Sequence, residues 1–132
     1  MINGIVRPSA EDGTGLEAWV DIAVAGEDRV FRMLTAVVDT GATDWLTLPE
    51  SVVRELGLRF TFTRYVRQAH GPAIQADVYA VWILWHGRMR RVYAESGNDT
   101  LIGTDLLADS RLTIDWWDGG AVIIEERTPP NR

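Results

Sequence analysis

The tripeptide Asp39-Thr40-Gly41 is the part of the sequence best suited to carboxylate chemistry. It lies between two apolar segments, Leu34–Val38 and Trp45-Leu46. An acidic side chain at the end of a buried strand costs free energy unless it is hydrogen-bonded or functional. Gly41 allows a tight turn in which its amide can approach a carboxylate without a Cβ in the way. We therefore expect a loop that holds the Asp39 carboxyl group rigidly and directs it into a cleft.

Other kinds of catalytic chemistry are excluded by composition. The sequence contains no cysteine, and all 13 of its basic residues are arginine. These absences exclude thiolate nucleophiles, disulfides, and Schiff-base or P-loop lysines. The two histidines, His70 and His86, are too far apart for a local pair of metal ligands, and no serine lies in a nucleophile-elbow pattern. Carboxylate chemistry remains, and no metal or cofactor is expected.

Length and charge limit the number of domains and the kinds of partner. A chain of 132 residues is long enough for one domain with a substantial core and too short for two ordinary ones. We expect a single domain over residues 1–126 and a flexible tail over 127–132. The net charge of -6 argues against nucleic acid as a partner. No apolar segment predicts a signal peptide or a membrane span, so a cytoplasmic protein without a membrane partner is expected.

Hydrophobic periodicity predicts an all-β fold with one short helix. Helical features are clear only where Pro49 begins a segment that has an apolar stripe and stops at Gly57. A further helical turn is expected at Asp105–Ala108, with Asp105 as its cap. Nine or so short strands around one helix predict a closed or nearly closed barrel. The predicted strands are Glu17–Ala25, Val30–Val38, Trp45–Leu48, Phe60–Val66, Ile74–Trp85, Met89–Ala94, Leu101-Ile102-Gly103, Arg111–Asp115 and Ala121–Glu125.

The order of three segments resembles the retropepsin-type aspartic proteases. In that family a D-T-G-A loop is followed by a flap hairpin and then by an apolar-apolar-Gly strand beneath the active site. The matching segments here are Asp39–Thr43, the hairpin Phe60–Trp85 with its tip at Gln68–Ala73, and Leu101-Ile102-Gly103. The final hairpin, at 111–125, is similar to the closing strands of small bacterial members. The resemblance extends from about Glu17 to Glu125.

The resemblance implies a role for each matched position. Asp39 would be the catalytic carboxylate, and the Gly41 backbone would contact substrate. The Thr40 hydroxyl group would bind the equivalent loop of the partner subunit in a dimer. The other implied substrate-binding residues lie around the loop, at the flap tip and on the floor behind the aspartate. They are Ala42, Thr43, Asp44, Leu46, Ala69, His70, Gly71, Leu101 and Ile102.

Two positions depart from the family pattern. Many viral members carry an acidic residue after D-T-G-A and an arginine after the second glycine, and these two form an ion pair that braces the dimer. Thr43 and Thr104 occupy the corresponding positions here. The flap tip also has one glycine, Gly71, and a proline where viral flaps are rich in glycine. Both departures leave the carboxylate of Asp39 in place.

Peptide hydrolysis by carboxylates requires two of them in different protonation states. The sequence has a single Asp-Thr-Gly, so we expect a homodimer in which a two-fold axis brings two copies of Asp39 together. The adjacent Trp116 and Trp117 suggest a contact surface for that dimer. Two alternatives remain open at this point. One is a non-catalytic module that binds peptides on the same fold, and the other is a structural barrel in which Asp39 is a turn residue.

Overall fold

Ten β-strands and two short helices form the part of the chain that this computed structural model describes, residues 1–9, 11, 13–66 and 70–131. The helices are α1 (Glu50–Glu55) and α2 (Thr104–Leu107). The strands are β1 (Ile2–Pro8), β2 (Leu16–Ala25), β3 (Arg32–Val38), β4 (Leu46–Pro49), β5 (Arg59–Val66), β6 (Ile74–Trp85), β7 (Arg88–Gly97), β8 (Leu101–Ile102), β9 (Ser110–Ile114) and β10 (Ala121–Glu126).

All ten strands belong to one sheet, in the order β5-β6-β7-β4-β8-β3-β2-β1-β10-β9. Neighbours are antiparallel except for the β3–β8 and β4–β7 pairs, which are parallel. An additional β2–β6 pairing links six of the strands into a ring. The expectation of a mostly β fold is confirmed. The ring is not a clear barrel. Of the two helices among the described residues, α1 corresponds to the predicted helix, and α2 lies where a further helical turn was expected, one residue earlier.

Alternating burial along the ring strands forms the core. In β6, the side chains of Val81, Ile83 and Trp85 are buried, while Leu84 between them is exposed. Leu46 and Leu48 of β4 alternate in the same way and are completely buried. Each such side chain contributes about 1.5–3 kcal/mol when it leaves water. The core therefore includes the inward-facing residues of the ring strands, together with Val6 of β1 and Val122 and Ile124 of β10.

The two helices begin and end for different reasons. Helix α1 follows Pro49, whose φ of −59° suits a helix start, and it is terminated by Gly57 at φ +60°, as the sequence predicts. Helix α2 has Gly103 at its N-cap position and no side-chain capping hydrogen bond. The prediction that Asp105 caps this helix is therefore wrong, because Asp105 already lies within the first turn.

Residues 39–45, here called the Asp39 loop, connect β3 to β4 across the end of β8, which lies between these two strands. The loop is bonded to the chain that follows β8 by backbone hydrogen bonds. The Gly103 amide donates to the Trp45 carbonyl (3.1 Å), and the Thr104 amide donates to the Ala42 carbonyl (2.9 Å). A Cβ atom on Gly103 would lie 2.1 Å from the Asp44 carbonyl oxygen, so this close approach requires glycine.

Replacing this glycine provides a test of the packing. Gly103→Ala should lower the free energy of unfolding by about 2 kcal/mol, because the backbone of the Asp39 loop would have to move. Urea denaturation followed by circular dichroism measures the change. Gly15→Ala is the matched control, since a Cβ at Gly15 meets no atom within 4 Å, and it should change the free energy by less than about 0.5 kcal/mol. Equal effects in the two variants would contradict the proposed packing.

Candidate active site

The Asp39 carboxyl group is held at the point where β3 ends. The Asp39 amide donates to the carbonyl oxygen of Ile102 in β8 (2.9 Å), and the Ala42 amide donates to the Asp39 carbonyl oxygen (3.1 Å). The Gly41 amide donates to Oδ1 of the Asp39 side chain (3.0 Å). Backbone groups therefore position both the main chain and one carboxyl oxygen of this residue.

Gly41 fits this arrangement for a steric reason. A Cβ on Gly41 would lie 3.2 Å from the Asp39 Oδ1 atom, closer than most such contacts, and would press on the carboxyl group. Thr40 and Gly41 are exposed and Asp39 is half-buried. Within the described part of the chain, no second carboxyl group is hydrogen-bonded to Asp39. Each chain thus contributes the Asp39 carboxyl group, held in a defined orientation by the Gly41 amide.

The other residues expected at the site lie in the Asp39 loop, on the strands behind this loop, and at the tip of the expected flap. Ala42 is half-buried and Thr43 is exposed in the Asp39 loop. Leu46 and Ile102 pair across β4 and β8 and are completely buried, whereas Leu101 is half-buried. These apolar residues support the loop from the core. Their direct contact with substrate stays a prediction.

The expected flap corresponds to the antiparallel β5–β6 hairpin, in which Val66 pairs with Ile74. His70 and Gly71 are exposed near the tip of this hairpin. Ala69 and Gln68 lie outside the described residues. His86 is in the separate β6–β7 turn at φ 52°, followed by Gly87 at φ 76°, as is typical of a tight hairpin turn.

The strand register places Trp116 and Trp117 at the same end of the sheet as Asp39. Val37 of β3 pairs with Trp19 of β2, which pairs with Ile5 of β1, which pairs with Ala121 of β10. Each pairing is antiparallel, so the start of β10 and the end of β3 are at the same edge. The turn before Ala121 contains both tryptophans, which are 56% and 61% exposed. Three strand spacings separate β3 from β10, about 14 Å.

A cavity of about 160 Å³ lies beside the Asp39 loop and between it and strands β5, β6 and β7. We call it the Asp44 cavity. It combines charged groups with aromatic rings and is lined by Asp44, Trp45, Phe62, Arg64, Val78, Tyr93, Glu95 and Asp105. Among these lining residues, sequence analysis identified Asp44 as a substrate-binding residue.

Asp44 is a buried carboxylate with incomplete hydrogen bonding. It is 7% exposed. Its Oδ2 atom accepts a hydrogen bond from the Thr47 hydroxyl group (2.7 Å). Its Oδ1 atom is buried and has no hydrogen-bond partner among the residues that the structure describes. A buried polar atom without a partner costs about 1–3 kcal/mol, and more when it is charged.

Glu95 is the second acidic group of the cavity, and it forms an ion pair with Arg64. Burial raises the pKa of Glu95 above its usual range, and the nearby Asp44 charge raises it further, while Arg64 opposes both effects. The single guanidinium group therefore does not offset the cost of placing these carboxylates together.

Sequence analysis missed Arg64, Glu95 and the aromatic residues of this cavity. Their proximity depends on register, because Phe62 pairs with Val78, Val78 with Glu95, and Glu95 with Thr47 across four strands. Arg64 and Tyr93 lie two positions from members of this row, on the same face. The alternation of apolar and polar residues predicts which side chains of a single strand share a face of the sheet. It does not predict which strands are neighbours.

Among the described residues, no group of three or more His, Asp or Glu side chains could hold a metal ion. No described helix has both the length and the apolar character needed to cross a membrane.

Comparisons with known proteins give one structural likeness. No family model matches the sequence, and no curated protein matches it. Among solved structures, the chain is similar to the EIAV protease complexed with the inhibitor HBY-793, at 22% identity and a TM-score of 0.43. The alignment covers 67% of this chain and 85% of that chain.

The raised pKa of Glu95 predicts how stability depends on pH. Both folded and unfolded chains hold the Glu95 proton below pH about 4.3. As the pH rises through the raised folded-state pKa, the folded protein has to hold a charge that the unfolded chain accommodates more easily. The free energy of unfolding of wild type, relative to Glu95→Gln, should therefore fall between pH 4 and pH 7. Urea denaturation of both proteins across this range measures the difference.

Glu126→Gln is a control of opposite sign. A hydrogen bond from Arg88 lowers the pKa of Glu126 below its usual range, so the stabilisation by Glu126 is lost as pH falls through that lowered value. Relative to this variant, wild type should gain stability as pH rises. The same slope for both comparisons would contradict the assigned environment of Glu95.

Proposed function

We propose that this chain is an aspartic endopeptidase of the retropepsin type, active as a homodimer in which each subunit contributes one Asp39 carboxyl group. The observation that carries the proposal is the setting of Asp39. Its carboxyl group is surface-accessible, oriented by the Gly41 amide, and fixed to β8 by its own amide. These bonds hold the carboxyl group in one position at the end of β3, where a second copy could approach it.

The chemistry of two such carboxyl groups accounts for peptide hydrolysis. Two carboxylates about 3 Å apart cannot both ionise, so the pair shares one proton. The ionised group takes a proton from a water molecule, whose oxygen attacks the peptide carbonyl carbon, while the protonated group donates its proton to the carbonyl oxygen. The resulting gem-diol breaks its C–N bond as a proton passes to the leaving amine. Both carboxyl groups then return to the starting state with one proton between them.

Two features support assembly around the Asp39 loop. The chain has a single Asp-Thr-Gly sequence, and within the described residues Asp39 has no carboxyl partner. The exposed tryptophans of the turn at 115–120 lie at the same end of the sheet. Exposed large aromatic side chains are typical of the central part of protein interfaces. A two-fold axis near Asp39 would bring this turn close to the partner subunit.

Replacing the carboxyl group provides the first test. Asp39→Asn should reduce the hydrolysis of a peptide library by about three orders of magnitude or more, because an amide can neither accept nor donate the shared proton. Mass spectrometry of the products measures the loss. Asp21→Asn is the matched control, since Asp21 is an exposed aspartate that accepts a hydrogen bond from Thr35. This control should retain wild-type activity.

Equal activity of wild type and Asp39→Asn would exclude an aspartic protease. Peptide binding by a wild-type protein that hydrolyses nothing would favour the alternative of a non-catalytic binding module.

A second test asks whether two subunits share one active site. Specific activity should fall on dilution as dimers dissociate. When equal amounts of Asp39→Asn subunits are added and allowed to exchange, activity per wild-type subunit should fall to about half, because half of the wild-type chains then lie in mixed dimers. Kinetics combined with sedimentation velocity measure both effects. Activity that is independent of dilution and of added variant would contradict the shared site.

The position of the interface can be tested separately. Trp116→Ala and Trp117→Ala should raise the dimer dissociation constant by about tenfold or more, as expected for large aromatic interface residues. Met33→Ala is the control, because Met33 is 65% exposed near the start of β3, away from Asp39. A larger effect from Met33→Ala than from the tryptophan variants would place the interface elsewhere.

A further inference from the structure

An apolar row crosses four neighbouring strands on the face of the sheet that points away from the core. Met33 of β3 pairs with Ala23 of β2. Ala23 also pairs with Leu84 of β6, which pairs with Met89 of β7. Directly paired residues lie on the same face of a sheet, and we call these four residues the Met33 row. Met33 is 65% exposed, Leu84 43% and Met89 42%, so the row is a continuous apolar strip on the surface.

The composition and length of this strip suit a helical partner. The chain has three methionines, Met1, Met33 and Met89, and two of them lie in the row. Methionine side chains are flexible and polarizable, and they are typical of surfaces that accept amphipathic helices. The row spans three strand spacings, about 14 Å. This is the length of about nine residues of α-helix.

A cationic site borders the Met33 row. Trp82 pairs with Arg91, and these residues are two positions from Leu84 and Met89, so they share the face of the row. The guanidinium groups of Arg29 and Arg91 lie 4.7 and 5.9 Å from the centroid of the Trp82 ring. Glu27 forms an ion pair with Arg91 (2.9 Å). Among the described residues, Arg29 has no carboxylate within ion-pair distance.

The β2–β3 turn determines the position of Arg29. The Arg29 amide donates to the Gly26 carbonyl oxygen (3.0 Å), and the Val30 amide donates to Oδ1 of Asp28 (3.0 Å). Arg29 has a φ of 57°, a backbone conformation that costs free energy in a residue with a long side chain. The turn holds Arg29 in this conformation and places its cation at the border of the row.

Charge indicates what kind of partner covers this surface. Two guanidinium groups on one aromatic ring repel each other, and Glu27 is engaged by only one of them. A carboxylate on the partner would give Arg29 the counter-ion that it lacks. A basic partner would add to the repulsion.

The extent of the apolar strip separates a short segment from larger occupants. Three exposed side chains provide far less area than the roughly 800 Å² per partner of a standard interface between folded proteins, so a second folded copy of the chain is a poor fit. An anionic membrane would meet a chain with a net charge of -6. Asp21, which is exposed two positions from Ala23 on the same face, would also repel it.

We propose that the Met33 row and Arg29 form a docking surface for an acidic amphipathic helix of another protein. The apolar stripe of that helix packs on the row, and an aspartate or glutamate beside the stripe pairs with Arg29. This inference does not depend on the proposed endopeptidase function. Met33 is six residues from Asp39, about 20 Å along β3, so a bound helix leaves the Asp39 carboxyl group free.

The test uses the full chain labelled with ¹³C at its methionine methyl groups. The probe is a helical peptide of about 18 residues with leucines at i, i+4, i+7 and i+11 and glutamates along one border of that stripe. The three methyl signals are assigned with Met33→Leu and Met89→Leu. Addition of the peptide should shift the Met33 and Met89 signals and leave the Met1 signal unchanged.

Fluorescence anisotropy of the labelled peptide assigns its affinity to particular residues. Leu84→Gln should weaken binding by about tenfold, as expected for an apolar residue at the centre of an interface. The matched control is Ile74→Gln, since Ile74 is 49% exposed on the same strand and lies about 33 Å away. This control should bind like wild type, and thermal unfolding checks that each variant folds.

The ion pair is tested by changing both of its members. Arg29→Gln should weaken binding about two- to fivefold, as expected for an exposed ion pair. A peptide with glutamine in place of glutamate should show the same loss with wild type and no further loss with Arg29→Gln. Arg111→Gln is the control, because Arg111 is an exposed arginine on β9, and it should bind the glutamate peptide like wild type.

Each remaining outcome contradicts the proposal. Equal affinities for the glutamate and glutamine peptides would remove the role of Arg29, and equal affinities of wild type and Leu84→Gln would remove the role of the row. No binding at about 1 mM peptide would overturn both. Met33 and Met89 signals that move with protein concentration alone would assign the surface to a second copy of the chain. Signals that respond to phosphatidylserine vesicles but not to the peptide would assign it to a membrane.

Discussion

The attachment of the Asp39 loop to β8 and to the start of α2 is the interaction on which the candidate site depends. Four backbone hydrogen bonds join residues 39–45 to residues 102–105, and they are distributed along the whole loop. Loops are usually the most mobile part of a domain, but this one is bonded at both ends and in the middle. The same bonds determine where Asp39 and Asp44 lie relative to each other, so the reactive group and the neighbouring cavity form one unit. Gly103 makes this possible, since a side chain there would overlap the backbone of Asp44.

This attachment also explains why a costly group is buried beside the site. The Asp44 carbonyl accepts the Asp105 amide (3.1 Å), and the Asp44 side chain is buried, with a hydrogen bond from the Thr47 hydroxyl group. A charge in this environment is unfavourable for folding. Proteins depart from the rule of satisfied buried polar groups mainly at functional sites, where the unsatisfied group interacts with a ligand. Stability alone would favour an apolar or neutral residue at position 44.

The sequence predicted the local features of this fold better than the non-local ones. Strand β6 was predicted with the bounds that the structure shows, Ile74–Trp85, because an uninterrupted apolar run ends at the His86-Gly87 turn. Strand β1 was missed because Gly4 interrupts the expected pattern. That glycine is required by tertiary structure, since a Cβ there would lie 2.0 Å from the Trp19 carbonyl oxygen. The Asp39 loop was predicted from its own residues. The Asp44 cavity was not, because it depends on the pairing of β4, β5, β6 and β7, which local patterns do not specify.

Symmetry connects these observations in the proposed dimer. A single chain contributes one Asp39 carboxyl group and one Asp44 cavity, and one carboxyl group is not sufficient for the proposed hydrolysis. A two-fold axis would give the dimer two Asp39 carboxyl groups and two Asp44 cavities. The distance between each Asp39 and the cavity of its own chain would be the same in both subunits, because the same short loop carries Asp39 and Asp44. The ion pair that braces many viral dimers is absent here, since Thr43 and Thr104 occupy those positions. Exposed Trp116 and Trp117 offer apolar contact area in its place. Apolar association of this kind does not depend on ionisation, so the dimer would persist at the acidic pH at which a shared proton between two carboxylates is retained.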